Sequence, residues 1–106
     1  MDGTDRLGRF EELVLLALVR LRENAYGVTI RREIADRTGR DVSFGAVYTT
    51  LDRLERKGYV LSRMGDPTPE RGGRAKKYFR LEAPGIRALN ESRETVARMG
   101  GLIHVG

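Results

Sequence analysis

The side chains best suited to binding a partner lie between Ser43 and Leu81. Hydroxyl-bearing, small and basic side chains come first, and a run of bases follows after a loop rich in proline and glycine. Small and hydroxyl side chains can reach base edges, whereas lysine and arginine pair with phosphate oxygens. The segment therefore predicts a surface that binds duplex DNA.

The positive charge of the chain is concentrated in the second part of this segment. Six bases stand between residues 63 and 80 against only Asp66 and Glu70, which gives +4 of the formal net charge of +5. A surface that serves solubility alone mixes its signs more evenly. With a sequence pI of about 10.1, this balance indicates a polyanionic partner. The six bases are Arg63, Arg71, Arg74, Lys76, Lys77 and Arg80.

Residue types exclude several functional classes. The chain has no cysteine and a single histidine, His104, so disulfides, thiolate metal sites and cysteine nucleophiles are excluded. Its carboxylates have ordinary explanations at helix ends or on surfaces, and we expect no enzyme activity, metal or cofactor. The first residues lack the apolar core of a secretory signal, and the longest apolar run, residues 13–19, is far shorter than the ~20 residues that span a bilayer. We expect a cytoplasmic protein.

Apolar spacing predicts a mainly α-helical fold with one small β-hairpin, a winged helix-turn-helix followed by a C-terminal dimerisation helix. The winged helix-turn-helix covers residues 1–81, and the last helix and tail cover 82–106, within a single compact unit. The predicted helices cover residues 9–22, 28–37 and 43–57, the strands cover 59–63 and 76–81, and a further helix starts within 82–85.

The third predicted helix is the best specified element. Ser43 can cap its first turn, and Gly58 closes it. A periodicity of 100° per residue predicts one buried face, formed by Phe44, Val47, Leu51 and Leu54. The opposite face carries small residues and hydroxyls first and bases further along. The DNA-contacting residues predicted in this helix are Ser43, Gly45, Ala46, Thr49, Thr50 and Arg53.

The loop before the second strand is too long for a tight turn and should be exposed. Two arginines around paired glycines can enter a minor groove, where the negative potential attracts arginine. The alternative is a solvated charged loop. The DNA-contacting residues predicted in this wing are Arg71, Gly73, Arg74, Lys76 and Lys77.

The first and last helices have apolar residues beyond the needs of a small domain. The first is apolar on more than one face, which suits either a central core helix or contact with another subunit. The last has an imperfect alternation of three and four residues, which suits packing on another helix. We expect a homodimer, with folding back onto the same domain as the alternative. The predicted dimerisation residues are Phe10, Leu13, Leu16, Ile86, Leu89 and Val96.

Three segments together resemble the DNA-binding domain of the PadR family of bacterial transcriptional regulators. They are residues 26–30 at the start of the second helix, residues 42–60 through the third helix, and residues 73–81 in the wing. The likeness extends over roughly residues 7–99. It implies a homodimer that binds a near-palindromic operator, usually as a repressor, and it implies that Tyr48 contacts DNA.

The chain departs from the family pattern at two points. Phe44 stands where the family often has proline, and the chain stops after one C-terminal helix, as in the short family members. Some short members bind planar aromatic drugs between subunits. Because the chain lacks tryptophan, it cannot form a binding site in which tryptophans stack on the drug. Regulation by an unidentified small aromatic or apolar effector is left as an open alternative. The alternative function is a winged-helix module for protein–protein interaction without DNA binding.

Overall fold

The computed structural model describes residues 6–65, 75–101 and 103–105. The mainly helical fold with a small antiparallel hairpin is confirmed, and the element boundaries lie close to the predicted ones. The helices are α1 (Arg9–Leu21), α2 (Gly27–Thr38), α3 (Phe44–Arg56) and α4 (Ala83–Arg98), and the strands are β1 (Val60–Met64) and β2 (Lys77–Leu81). A 3-10 turn, Arg22–Asn24, follows α1.

The core forms around α1, which contacts α2, α3, α4 and β2. Its apolar residues recur every three or four positions, so one wide stripe of the helix can be buried. The central core role that the sequence left open is therefore the one that most of this helix has. The buried apolar side chains of the core include Val14, Leu15, Leu18, Ile30, Ile34, Val47, Leu51, Leu54, Val60, Phe79 and Leu89.

Local hydrogen bonds fix where the helices begin and end. The Ser43 hydroxyl accepts the backbone N–H of Ala46 at 3.1 Å, which confirms the predicted cap of α3. Gly39 ends α2 with φ of 71°, a left-handed conformation that glycine adopts without the steric cost of a side chain. Pro84 stands in the first turn of α4, where the missing N–H has no partner to lose.

The hairpin is attached to the helices on both of its strands. β1 and β2 pair in a register that runs from Val60 opposite Leu81 to Met64 opposite Lys77. The Ser62 hydroxyl of β1 donates to the Glu55 carboxylate of α3 at 2.7 Å. On the other side, the backbone N–H of Phe79 donates to the carbonyl of Ala25 at 2.9 Å, next to an isolated bridge between Tyr26 and Tyr78. These bonds position the hairpin beside α3 and the start of α2.

α4 packs against its own domain mainly near its start, and further along it the Ser92 hydroxyl donates to the Glu12 carboxylate of α1 at 3.4 Å. A Cβ on Gly85 would collide with the backbone carbonyl of Tyr59, so the helix can start this close only with glycine there. Leu89 is 4% exposed and belongs to the core. Its assignment to dimerisation is therefore corrected, because its own chain already covers the side chain. Ile86 and Val96 stay about half exposed. In the part of the chain that the structure describes, no helix is long and apolar enough to cross a membrane.

Candidate nucleic-acid interface

The buried face of α3 leaves a narrow set of side chains for contact with a partner. Val47, Leu51 and Leu54 are fully buried, as predicted. Thr50 is only 5% exposed, so its predicted role as a DNA contact is wrong. It follows Val47 by three positions and precedes Leu54 by four, and such residues share one face of a helix. Helical spacing thus assigns Thr50 to the core side.

Phe44 was expected on the buried face and is instead 43% exposed. It is the first residue of α3 and lies at the edge of the helix that faces α2. The guanidinium carbon of Arg31 stands 4.8 Å from the centre of its ring. The terminal position explains the difference, because no later turn of α3 and no other core side chain covers the outer side of the ring.

Most of the other residues predicted to contact DNA in α3 are exposed together. They form a low surface at the start of the helix, where Gly45 and Ala46 project little and Thr49 offers a hydroxyl. Such a surface lets a helix approach the floor of a major groove, which is wide enough to admit it. The exposed members are Ser43, Gly45, Ala46, Tyr48, Thr49 and Arg53.

Tyr48 is positioned by a glycine of the neighbouring helix. Its ring crosses the start of α2, and a Cβ on Gly27 would collide with the Tyr48 hydroxyl. The absence of a side chain at Gly27 thus leaves room for the Tyr48 ring to lie against the start of α2. Tyr48 keeps 44% of its surface exposed. Part of the ring therefore packs within the protein, and part can face a partner.

Aromatic rings hold two bases in place at the end of the hairpin where the strands meet the loop. The ammonium of Lys76 lies 4.9 Å from the ring centre of Tyr26, and the guanidinium of Arg63 lies 4.9 Å from that of Tyr78. The two tyrosines meet edge to face at 5.4 Å, so Tyr26 packs within the protein. A cation over an aromatic face is attracted electrostatically and still presents its N–H donors outward. These bases are therefore oriented while remaining available to a phosphate.

The start of α2 connects the two predicted binding elements. Tyr48 of α3 lies over Gly27, and Lys76 of the hairpin lies over Tyr26, the residue before it. The N-terminus of a helix adds a partial positive charge and unpaired N–H groups. Together they form one cationic surface, which we call the α3–hairpin surface: Ser43, Gly45, Ala46, Tyr48, Thr49 and Arg53 of α3 with Tyr26, Gly27, Arg63, Lys76 and Lys77.

The described part of the hairpin, residues 60–65 and 75–81, contains four bases and no acid. Lys76 and Lys77 are exposed, as expected of wing contacts. Arg80 donates to the Glu82 carboxylate at 3.0 Å, but its side chain is 67% exposed, and such surface pairs contribute little. The predicted contacts Arg71, Gly73 and Arg74 lie outside the described residues.

A buried carboxylate at the far end of α3 was not predicted from the sequence. Glu11 of α1 is 5% exposed and accepts hydrogen bonds from the backbone of Gly8 at 2.8 Å and from Lys57 at 3.0 and 3.2 Å. Arg53 stands 3.8 Å away. Burial raises the pKa of Glu11, but the Gly8 hydrogen bond and the positive charges of Lys57 and Arg53 outweigh it, so the pKa is lowered.

This ion cluster changes the role of the bases at the end of α3. Lys57 was expected on the exposed face, but its side chain is only 20% exposed and pairs with Glu11. Arg53 is half exposed and shares the same carboxylate. The cluster therefore fixes the end of α3 on α1 and offsets part of its positive charge. Glu11 stands beside a second acid, Glu12, in the first turn of α1, so no signal in the sequence set the buried carboxylate apart.

A groove of about 590 Å³ opens between the 3-10 turn and the hairpin. Leu61 and Tyr78 contribute apolar surface; Arg22, Arg63 and Arg80 contribute positive charge, and Glu23 contributes one negative charge. Arg22 has φ of 54°, which is uncommon for a residue with a side chain. The volume is in the range of small-molecule sites.

Several solved structures share this fold. A PadR family transcription regulator from Clostridium difficile R20291 superposes with a TM-score of 0.74 at 23% identity, over 87% of this chain and 91% of that one. A putative transcriptional regulator, TA0346 from Thermoplasma acidophilum, gives 0.69 at 19% identity, over 85% and 82%. A PadR family transcriptional regulator from Eggerthella lenta DSM 2243 gives 0.68 at 31% identity, over 86% and 77%.

The comparison with family models agrees with the structural comparisons, whereas no curated protein sequence matches this chain. The family model described as the transcriptional regulator PadR-like family matches residues 15–91, which include α2, α3 and the hairpin. The match covers well over half of the chain. On this match and the Eggerthella lenta relative, the chain belongs to the PadR-like family of transcriptional regulators.

Proposed function

We propose that this protein is a homodimeric repressor that binds a near-palindromic operator in duplex DNA through the α3–hairpin surface. The observation that carries the proposal is the joining of an exposed, weakly charged helix face, across the start of α2, to a cationic hairpin whose described residues contain no acid. In this proposal residues 1–81 bind DNA, and residues 82–106 pair the subunits.

The hairpin would supply the sequence-independent part of the affinity. Lys76 and Lys77 are exposed, and Arg63 is held over Tyr78. Bases that neutralise phosphates release condensed counterions, so their contribution falls steeply with salt. Arg71 and Arg74 of the loop belong to the same proposed contact, with Gly73 giving the backbone room to approach.

The start of α3 would supply the sequence-dependent part. Ser43, Gly45 and Ala46 let the helix come close, and Thr49 can donate to or accept from a base edge. Tyr48, held by Gly27, would contact the DNA beside them. A good pair of base contacts discriminates by about 1–3 kcal/mol against the wrong base.

Dimerisation is proposed for the apolar surface that the domain leaves uncovered. Val19 of α1, Ile86 and Val96 of α4, and Met99 just after α4 are between 47% and 86% exposed. Phe10, Leu13 and Leu16 are partly buried and continue this surface along α1. A twofold axis beside these helices would place two copies of α3 on successive half-sites, which matches an operator with twofold symmetry.

Size-exclusion chromatography with light scattering tests the dimer. We expect a dimer for the wild type and a monomer for Val96→Asp, since a charge there would be buried in the interface. Glu91→Gln, at an exposed position on the opposite face of the same helix, is the control and should remain dimeric. A wild type that is monomeric at micromolar concentration would contradict this part of the proposal.

Repression would follow from occupancy of promoter DNA by the dimer, in the cytoplasm. Release by a small aromatic or apolar effector is supported by the groove of about 590 Å³ beside the hairpin, because a ligand there would contact both the hairpin and the 3-10 turn. The three arginines that line it would favour a ligand with an acidic group.

The function is tested by a gel shift across salt concentrations. Two duplexes are compared: one from upstream of the protein's own gene or selected from a random library, and one shuffled duplex of equal length. We expect binding to both at low salt and a preference of at least about 1,000-fold for the operator near physiological salt. No salt-dependent affinity for either duplex would favour the protein–protein interaction module instead.

A further inference from the structure

Phe44 is exposed at a position where an apolar ring has no structural need to be. It keeps 43% of its surface exposed, although it is the first residue of α3, a helix that buries one whole face. Tyr48, one helical turn later, is 44% exposed, and Val28 in the first turn of α2 is 37% exposed. Together they give the start of α3 an apolar border towards α2.

The ring of Phe44 is held in place from one side only. The guanidinium of Arg31 covers it at 4.8 Å, and Arg31 is itself fixed by a 2.6 Å hydrogen bond from Nε to the carbonyl of Val42. Asp41 stands 3.9 Å from the same guanidinium. Because 43% of Phe44 is exposed, part of the ring is accessible at the end of the helix that is proposed to enter the groove.

The chemical setting of the ring selects its partner. No acid stands in the first turn of α3, and the residues beside Phe44, Gly45 and Ala46, are small. In the major groove, thymine is the base that presents an apolar group, its C5-methyl, and phenylalanine is among the side chains that contact it. A charged or hydrogen-bonding base edge would gain nothing from this ring.

We propose that Phe44 is a specificity-determining residue that contacts thymine methyl groups in each operator half-site. The assignment rests on the proposed DNA binding and deepens it by naming what one side chain recognises. The contact would give a preference for thymine over cytosine and over uracil at the same position, without any hydrogen bond.

Replacing thymine by deoxyuridine tests this proposal, because the substitution removes only the methyl group. The operator is a duplex that the wild-type protein selects from a random library, and each thymine in it is replaced in turn. One buried methyl corresponds to about a fourfold loss of affinity. We expect that loss at one or two thymines per half-site for the wild type.

Variants assign the effect to Phe44. Phe44→Ser should lose the sensitivity to deoxyuridine, and Phe44→Leu should keep part of it, because leucine restores an apolar contact. Leu61→Ala is the matched control, since Leu61 is 45% exposed on the hairpin and should leave the sensitivity unchanged. Circular dichroism checks that the variants fold.

Three results would overturn the proposal, and they differ in what they contradict. If operator binding is tight but no thymine is sensitive, the assignment of Phe44 fails while the DNA-binding function stands. If Phe44→Ser keeps the full sensitivity, the methyl group is contacted by another side chain, such as Ala46 or Thr49. If no duplex is enriched in the selection, the proposed function fails, and this assignment fails with it.

Discussion

Helix α3 and the hairpin lie side by side, but they differ in how they carry charge. The bases of α3, Arg53 and Arg56, are near its end; Glu11 lies near Arg53 and pairs with Lys57, the residue just after the helix. Three of the four described bases of the hairpin, Arg63, Lys76 and Lys77, lie over aromatic rings, and the fourth, Arg80, has an acidic partner. Helix α3 is therefore fixed and weakly charged, which suits contacts with bases. The hairpin is exposed and cationic, which suits contacts with phosphates.

Core anchoring gives the largest expected difference between the two elements. Leu51→Ala in α3 removes a side chain with no exposed surface, so it should lower the free energy of unfolding by about 2–5 kcal/mol. Leu61→Ala in the hairpin removes one that is 45% exposed and should cost about 0.5 kcal/mol or less. Urea denaturation of both variants measures the contrast, and equal losses would contradict it.

The Glu11 cluster gives the next largest effect. Glu11→Gln keeps the shape but removes the charge that Lys57 and Arg53 face, and we expect a loss of about 1–3 kcal/mol at pH 7. Asp52→Asn, an exposed change within α3, is the control and should cost about 0.5 kcal/mol or less.

The same variant gives a pH dependence. Because the pKa of Glu11 is lowered in the folded protein, its contribution is complete above the ordinary value of 4.5 and is lost as pH falls through the folded value. The stability gap between wild type and Glu11→Gln should therefore close below about pH 4.5. A gap that stays constant between pH 7 and 3 would show that the charge of Glu11 is not what stabilises the fold.

The smallest expected effect concerns the contact between the helices. Gly27→Ala places a Cβ where the Tyr48 hydroxyl lies, so the ring must move. Because only the end of a side chain is displaced, stability should change by less than about 1 kcal/mol, while operator affinity falls several-fold and affinity for shuffled DNA stays the same. In a Tyr48→Ala background, Gly27→Ala should have no further effect on affinity. A further loss there would mean that Gly27 acts on DNA directly.

Local signals in the sequence sufficed for most of the fold. The cap at Ser43 and the spacing of Val47, Leu51 and Leu54 each depend on neighbours in the same helix, and each is confirmed. What failed depended on contacts between distant segments. Leu89 is buried because α4 packs against the rest of the domain. Lys57 pairs with Glu11, which is 46 residues away in the sequence and is brought close only by the fold.

The candidate site was predicted less evenly than the fold. Thr50 could have been excluded from the sequence, since its spacing to Val47 and Leu54 already places it on the buried face. Phe44 could not be assigned in the same way, because its spacing places it on the buried face while its position as the first residue of α3 leaves the ring partly uncovered. The space that Gly27 leaves for Tyr48 also exists only between two helices.

The division of roles within the α3–hairpin surface is tested most directly by measuring two variants on two duplexes. Affinities for the operator and for a shuffled duplex are compared between about 50 and 200 mM salt, the range over which phosphate contacts weaken strongly. The variants are Lys76→Ala with Lys77→Ala in the hairpin and Thr49→Ala in α3.

We predict that the hairpin variant binds both duplexes less tightly and loses salt dependence by about one unit of slope for each phosphate contact removed. Thr49→Ala should keep the slope and lose about tenfold of the preference for the operator. If both variants lose slope and preference equally, α3 and the hairpin do not divide the recognition between them, and the account is wrong.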